Sequence, residues 1–139
     1  MINEITASLS ELDKVVHYLE KNLPSNAIVF LRGDLAAGKT TLTQAIAKSK
    51  GIESEVTSPT FSLQQCYGER LYHYDIYNQG LDHFLALGML EELEKSGYHL
   101  IEWGDASLAE LLKSAQIPTI IVTITKSDEK RRIYRMDNA

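Results

Sequence analysis

Between the apolar run Ala27-Ile28-Val29-Phe30-Leu31 and the helical pattern Thr41-Leu42-Thr43-Gln44-Ala45-Ile46-Ala47-Lys48 stands Gly33-Asp34-Leu35-Ala36-Ala37-Gly38-Lys39-Thr40, a match to Gly-x-x-x-x-Gly-Lys-Ser/Thr. Flanks of this kind predict strand, loop and helix in that order. In such a loop successive backbone N–H groups point inward as an anion nest, and the N-terminus of the following helix adds partial positive charge. Lys39 is expected as a solvent-facing charge aimed at the terminal phosphates. Thr40 places a hydroxyl where it can ligate Mg²⁺, an ion that keeps several waters and takes few protein ligands. A glycine turn that merely opens a helix would not account for Lys39 and Thr40 together.

The remaining chain must supply a core and the rest of a nucleotide site. Its 139 residues predict one domain, 1–139, and are enough to bury a core. With 44% hydrophobic and 24% charged residues it has the balance of a folded globular chain. A formal net charge of −5 provides no general basic field, so DNA is not an expected partner and contact with RNA is expected only locally or through another protein. The single Cys66 excludes an internal disulfide and a cysteine metal cluster. No apolar run approaches the ~20 residues of a membrane span. With no signal-like N-terminus, the expected location is the cytoplasm.

Asn3 to Ala7 predicts a short edge strand. Ser8-Leu9-Ser10-Glu11 forms a capping box ahead of Leu12, Val15, Val16 and Leu19, which recur at helical spacing. Pro24-Ser25-Asn26 ends that helix, and Ala27 to Leu31 predicts the first buried parallel strand. The next helix ends near Gly51. In Val56-Thr57-Ser58-Pro59-Thr60-Phe61, the hydroxyls of Thr57, Ser58 and Thr60 either line a plain turn or serve as donors that swing onto a γ-phosphate or its Mg²⁺. Phe61 to Tyr67 and Arg70 to Tyr77, joined at Gly68-Glu69, read as a β-hairpin. Asp82 to Ser96 reads as helix in two pieces around Gly88, with Leu85, Leu87, Met89, Leu90 and Leu93 facing the core and Glu91, Glu92 and Glu94 solvated. A helix over 106–114 and a hairpin from Thr119–Thr125 and Ile133–Met136 complete the pattern.

Two carboxylates stand out. Leu71 to Tyr77 alternates, so His73, Asp75 and Tyr77 share one face, and Asp75 sits mid-strand where aspartate is disfavoured. It is either a hydrogen-bonded structural acid or a ligand of the metal's water shell, and His73 reads as structural. Tyr98 to Asp105 reads as an apolar strand that ends in a carboxylate, with Glu102 as the candidate acid. An acid at the carboxyl end of a strand beside the phosphate loop can hold the Mg²⁺ shell or orient an attacking water, although it can also cap a turn, with Trp103 as core. Thr125-Lys126-Ser127-Asp128 mimics a guanine-reading motif, but no helix or base-binding loop follows it. Lys130, Arg131, Arg132 and Arg135 read as a solvated turn or a partner-facing patch.

The segments GDLAAGKTT (33–41), TSPTF (57–61), HYDIY (73–77) and IEWGD (101–105) occur in that order. Together they resemble the bacterial TsaE (YjeE) family, small P-loop ATPases of tRNA threonylcarbamoyladenosine (t6A) biosynthesis. The resemblance spans roughly Ser8 to Asp105 and departs at Ala36 and Asn78, where the family commonly has glycine and arginine. It implies a three-layer α/β P-loop NTPase fold: a mostly parallel sheet with antiparallel hairpin additions and flanking helices. It implies ATP and Mg²⁺ as cofactors, weak ATP hydrolysis, TsaD and TsaB as protein partners, and tRNA met only through that complex. Carried over by matching motif, Gly33 to Gly38 form the phosphate loop, Lys39 holds the β- and γ-phosphates, Thr40 the Mg²⁺, and Thr41 assists. Thr57, Ser58 and Thr60 lie in a switch-like loop, Asp75 and Glu102 are the catalytic and metal-shell carboxylates, and Trp103 lies close to the nucleotide or the partner. A nucleotide-gated adaptor that needs ATP binding but not hydrolysis is the alternative; a small GTP-binding switch is a weaker one.

Overall fold

The computed structural model describes residues 3–34, 38–52, 64–67, 70–76, 82, 85–86, 88–104 and 106–138. Leu35, Ala36 and Ala37 of the phosphate loop, the hydroxyl loop with Thr57, Ser58 and Thr60, the Gly68-Glu69 turn, Tyr77, Asn78, Leu87 and Asp105 lie outside the described residues. The elements run β1 (Asn3–Ser8), a 3-10 turn (Leu9–Glu11), α1 (Leu12–Asn22), β2 (Ala27–Arg32), α2 (Lys39–Ser49), β3 (Gln64–Tyr67), β4 (Leu71–Asp75), α3 (Met89–Glu92), β5 (Tyr98–Glu102), α4 (Ala106–Ser114), β6 (Thr119–Lys126) and β7 (Arg131–Asn138).

All seven strands form one sheet in the order β1-β7-β6-β2-β5-β4-β3. The centre β6-β2-β5-β4 is parallel, while β1 with β7, β7 with β6, and β3 with β4 are antiparallel. The sheet is therefore mixed, with as many antiparallel pairings as parallel ones, rather than mostly parallel. Two of the antiparallel pairings, β3 with β4 and β6 with β7, join consecutive strands over short connections, whereas a further parallel strand would require another helical crossover.

β2 is apolar on both sides because both sides are covered. Val29 and Leu31 face α1 and α2, packing with Leu12, Val15, Val16, Leu19, Leu42 and Ile46. Ile28 and Phe30 face α4, packing with Leu108 and Leu112. Each such fully buried side chain contributes about 1.5–3 kcal/mol, which makes this strand the anchor of the fold. At the entry to α1, Glu11 Oε1 accepts from the Ser8 N–H at 3.2 Å and the Ser8 hydroxyl at 3.0 Å. The Lys14 ammonium, and then Ser8, hold the Glu11 carboxyl at about 2. Leu85 is 39% exposed, so it does not supply core as its spacing predicts; Leu93 is buried and Met89 and Leu90 pack at the core's margin. Among the described residues, no helix is long and apolar enough to cross a membrane.

Connectivity decides where a ligand can sit. From β2 the chain passes through α2 on one face toward β3 and β4; from β5 it passes through α4 on the other face toward β6. The loops after adjacent strands β2 and β5 thus diverge to opposite faces, the arrangement that opens a crevice at the carboxyl ends of parallel strands.

Candidate nucleotide-binding site

The carboxyl edge of the parallel centre is in register. Leu31 lies opposite Glu102, and Glu102 lies opposite Asp75. Strand parity puts all three on the face of α1 and α2, since Leu31 and Leu100 belong to that core. Both predicted carboxylates therefore stand side by side on adjacent strands, on the face that carries the helix starting at Lys39. Glu102 is buried and Asp75 is half-buried.

Gly38 caps α2 with a φ of 105°, a left-handed conformation that a side chain would strain. α2 has no acidic residue in its first turn, so no carboxylate of its own offsets the positive end of the helix dipole. Thr43 Oγ1 donates to the Lys39 carbonyl at 3.0 Å, bracing that turn from inside.

Lys39 departs from expectation. It is 4% exposed rather than solvent-facing. Its Nζ donates to the Gly33 carbonyl at 2.9 Å and lies 3.8 Å from the centroid of the Trp103 ring. An ammonium taken out of water needs such partners, here a carbonyl and an aromatic face. Trp103 holds this position with a φ of 65°, unusual for a bulky residue and a mark of backbone strain. The next residue, Gly104, is pressed against Phe30: a Cβ there would meet the ring at 2.9 Å. Arg32 Nη2 donates to the Gly104 carbonyl at 3.4 Å, tying the end of β2 to the turn after β5. Trp103 is therefore not simply core; it touches the loop lysine.

Glu102 has a partner that alternation alone did not reveal. Oε2 of its carboxylate meets Nε2 of His73, which is fully buried. His73 lies opposite Leu100, so the contact runs diagonally from β4 to the end of β5. A cavity of about 520 Å³ opens beside α2, its wall including Ser8, Gly38, Thr41, Glu129, Lys130 and Arg132. The turn between β6 and β7 thus reaches the start of the phosphate-loop helix. Asp128 is occupied differently from a guanine reader: its Oδ1 accepts the N–H groups of Lys130 and Arg131, each at 2.8 Å, and the Lys130 bond leads in holding its carboxyl below the usual range.

Whether the donors suit Mg²⁺ can be judged from their chemistry. Thr40, Asp75 and Glu102 offer hard oxygens. Among the described residues no three His, Cys, Asp or Glu side chains converge into a cage. That combination fits an ion that keeps most of its water and takes one or two carboxylates.

A profile of the family described as Threonylcarbamoyl adenosine biosynthesis protein TsaE matches residues 6–134. The tRNA threonylcarbamoyladenosine biosynthesis protein TsaE of Treponema pallidum (strain Nichols) is 40% identical over 106 residues, 74% of this chain and 74% of that protein. The protein of the same description from Rickettsia felis is 36% identical over 129 residues, 88% of this chain and 72% of that one. A crystal structure of Bacillus subtilus YdiB superposes with a TM-score of 0.66 over 98% of this chain and 86% of that chain; at 24% identity it speaks to the fold alone. This chain belongs to the TsaE family.

Proposed function

We propose that this chain binds ATP and Mg²⁺ at the carboxyl edge of β2 and β5, hydrolyses the nucleotide slowly, and so acts on a TsaD–TsaB pair during t6A formation on tRNA. The observation that carries this reading is the alignment of Lys39, at the first position of α2, with Glu102 and Asp75 on the ends of neighbouring strands. The relatives' names place them in tRNA threonylcarbamoyladenosine biosynthesis. A net charge of −5 favours reaching tRNA through the partners.

In this reading the residues divide the work. Lys39 gives its charge to the β- and γ-phosphates while backbone N–H groups between Gly33 and Gly38 cradle them. The Thr40 hydroxyl ligates the metal, and Asp75 and Glu102 shape its water shell or orient the attacking water. Thr40, Asp75 and Glu102 would hold the Mg²⁺, whose positive charge would offset the negative charge that develops as the phosphoryl group transfers. The cavity beside Gly38 and Thr41 has room for the nucleoside, with Lys130 and Arg132 on its wall.

The test combines pull-down of TsaD and TsaB, with and without ATP, and measurement of phosphate release. Glu102→Ala is expected to join the partners in ATP, to lose at least ~10-fold in hydrolysis, about 1.4 kcal/mol of barrier, and to fail repeated rounds of t6A formation. A Glu102→Ala protein that cannot hydrolyse ATP but sustains multiple rounds at the parental rate would refute the hydrolytic cycle and leave the nucleotide-gated adaptor.

A further inference from the structure

Among the described residues two histidines, on neighbouring strands, are buried, and they are used differently. His99 satisfies both ring nitrogens: Nε2 donates to the Lys95 carbonyl at 2.8 Å, and Nδ1 accepts from the Tyr74 hydroxyl at 2.7 Å. His73 engages Oε2 of Glu102 through Nε2, while its Nδ1 is buried without a hydrogen-bond partner among the described residues. A proton on Nε2 accounts for both observations, because it places the donor at the carboxylate and leaves only a lone pair at Nδ1. The ring is therefore committed to a single polar contact.

Sheet integrity does not need that contact. β4 and β5 are already joined along the whole ladder from Leu71↔Tyr98 to Asp75↔Glu102. A buried polar pair is also a poor stabiliser beside two well-packed apolar side chains. What the pair does accomplish is orientation. Glu102 is the final residue of β5, and a glutamate there can rotate about several bonds. Fixing one carboxylate oxygen on the diagonal toward His73 reduces those rotamers and sets the aim of the other oxygen.

We propose that His73 is a positioning residue for Glu102: it holds the carboxylate at the carboxyl edge beside Asp75, in the geometry needed to meet the metal's water shell. This rests on the reading of the chain as an Mg²⁺-dependent ATPase. Outer-shell partners of this kind typically matter by 10–100-fold in metal affinity or activity.

The experiment compares His73→Leu, which keeps bulk and removes the donor, with His73→Gln, which restores an N–H able to reach a carboxylate. Five quantities are measured on the full chain: kcat and KM for ATP hydrolysis, Mg²⁺ affinity in the presence of ATP, melting temperature without ligand, and the downfield imidazole N–H signal in proton NMR. His73→Leu is expected to lose about 10-fold in kcat and in Mg²⁺ affinity, with KM for ATP unchanged. His73→Gln should recover most of both losses. The parent should show a protected imidazole N–H resonance that Glu102→Ala abolishes.

Equal losses in the Leu and Gln variants, or parental kcat and Mg²⁺ affinity in His73→Leu, would overturn the proposal. So would losses that simply follow melting temperature. If the parent itself releases no phosphate from ATP, the hydrolytic reading fails separately. Mg²⁺ affinity then decides on His73: a loss in the Leu variant repaired by Gln supports positioning, and unchanged affinity overturns it.

Discussion

Replacing Lys39 tests both the candidate site and the unexpected burial of its key charge. Two substitutions separate the effects. Lys39→Met keeps the length of the stem and removes the ammonium; Lys39→Ala also removes the stem. In the ligand-free protein the ammonium donates to the Gly33 carbonyl at 2.9 Å and lies 3.8 Å from the Trp103 ring centroid. Losing the hydrogen bond costs ~1–3 kcal/mol and losing the cation–π contact ~0.5–2 kcal/mol. Relief from burying a charge offsets much of this, so Lys39→Met is expected to stay within about 1 kcal/mol of the parent. Lys39→Ala further empties a site that is 4% exposed and is expected to cost about 2 kcal/mol more, a melting temperature lower by roughly 4–10 °C. The assay is thermal melting with and without Mg²⁺-ATP. At 100 times Kd, ATP should stabilise the parent by about 2.7 kcal/mol, and neither variant should respond. Lys39→Ala melting with the parent when no ligand is present would refute the burial argument. Full ATP stabilisation of Lys39→Met would refute the phosphate-loop assignment.

Trp103 is the sole tryptophan, and Lys39 lies over its ring; Mg²⁺-ATP should change the parent's emission and leave that of Lys39→Met unchanged. Gly104→Ala brings a Cβ to 2.9 Å from the buried Phe30 ring, an overpacking expected to cost about 1–3 kcal/mol, read as a lower urea midpoint at constant m. Burial pushes His99 below the ordinary imidazole value of 6.5, so the folded protein binds its proton less readily than the unfolded chain. Its contribution is present above pH 6.5 and lost as pH falls through the folded value; His99→Gln should flatten the fall in urea midpoint just below pH 6.5. Asp128→Ala should leave the ratio of ATP to GTP affinity unchanged, because Asp128 Oδ1 is engaged by the Lys130 and Arg131 N–H groups.

What was legible in the sequence were features with a local cause. Helical spacing identified Leu12, Val15, Val16 and Leu19 as the buried face of α1, and a continuous apolar run identified β2. The phosphate-loop motif located the start of α2. Alternation placed Asp75 and His73 on one face, but it could not supply their neighbours across β5. The His73–Glu102 contact requires the order β5-β4 and a register that no local pattern encodes. β1 pairing with β7 is equally non-local, and those outer antiparallel pairings are why the sheet is mixed. Lys39 was misread for a related reason. Its ammonium lies over the ring of Trp103, a residue of the turn after β5 with a left-handed backbone, and nothing near the loop encodes that neighbour.

The two charged groups at the centre of the site already have partners before a ligand arrives: Lys39 has the Gly33 carbonyl and the Trp103 face, and Glu102 has His73. In the proposed function ATP would not meet a bare ammonium, and its affinity would be the difference between new phosphate contacts and the contacts they displace. A bare buried charge would bind phosphate more strongly but would destabilise the empty protein by the full cost of its desolvation. Internal partners lower that cost and lower the gain on binding with it. They also tie the start of α2 to the turn after β5, because Lys39 cannot leave the Trp103 ring without changing the surroundings of the residue that follows Glu102. In the proposed function phosphate binding and the carboxylate edge would be coupled through Lys39 at the start of α2, Trp103 just after β5 and Glu102 at its end, with no requirement for a larger rearrangement of the sheet.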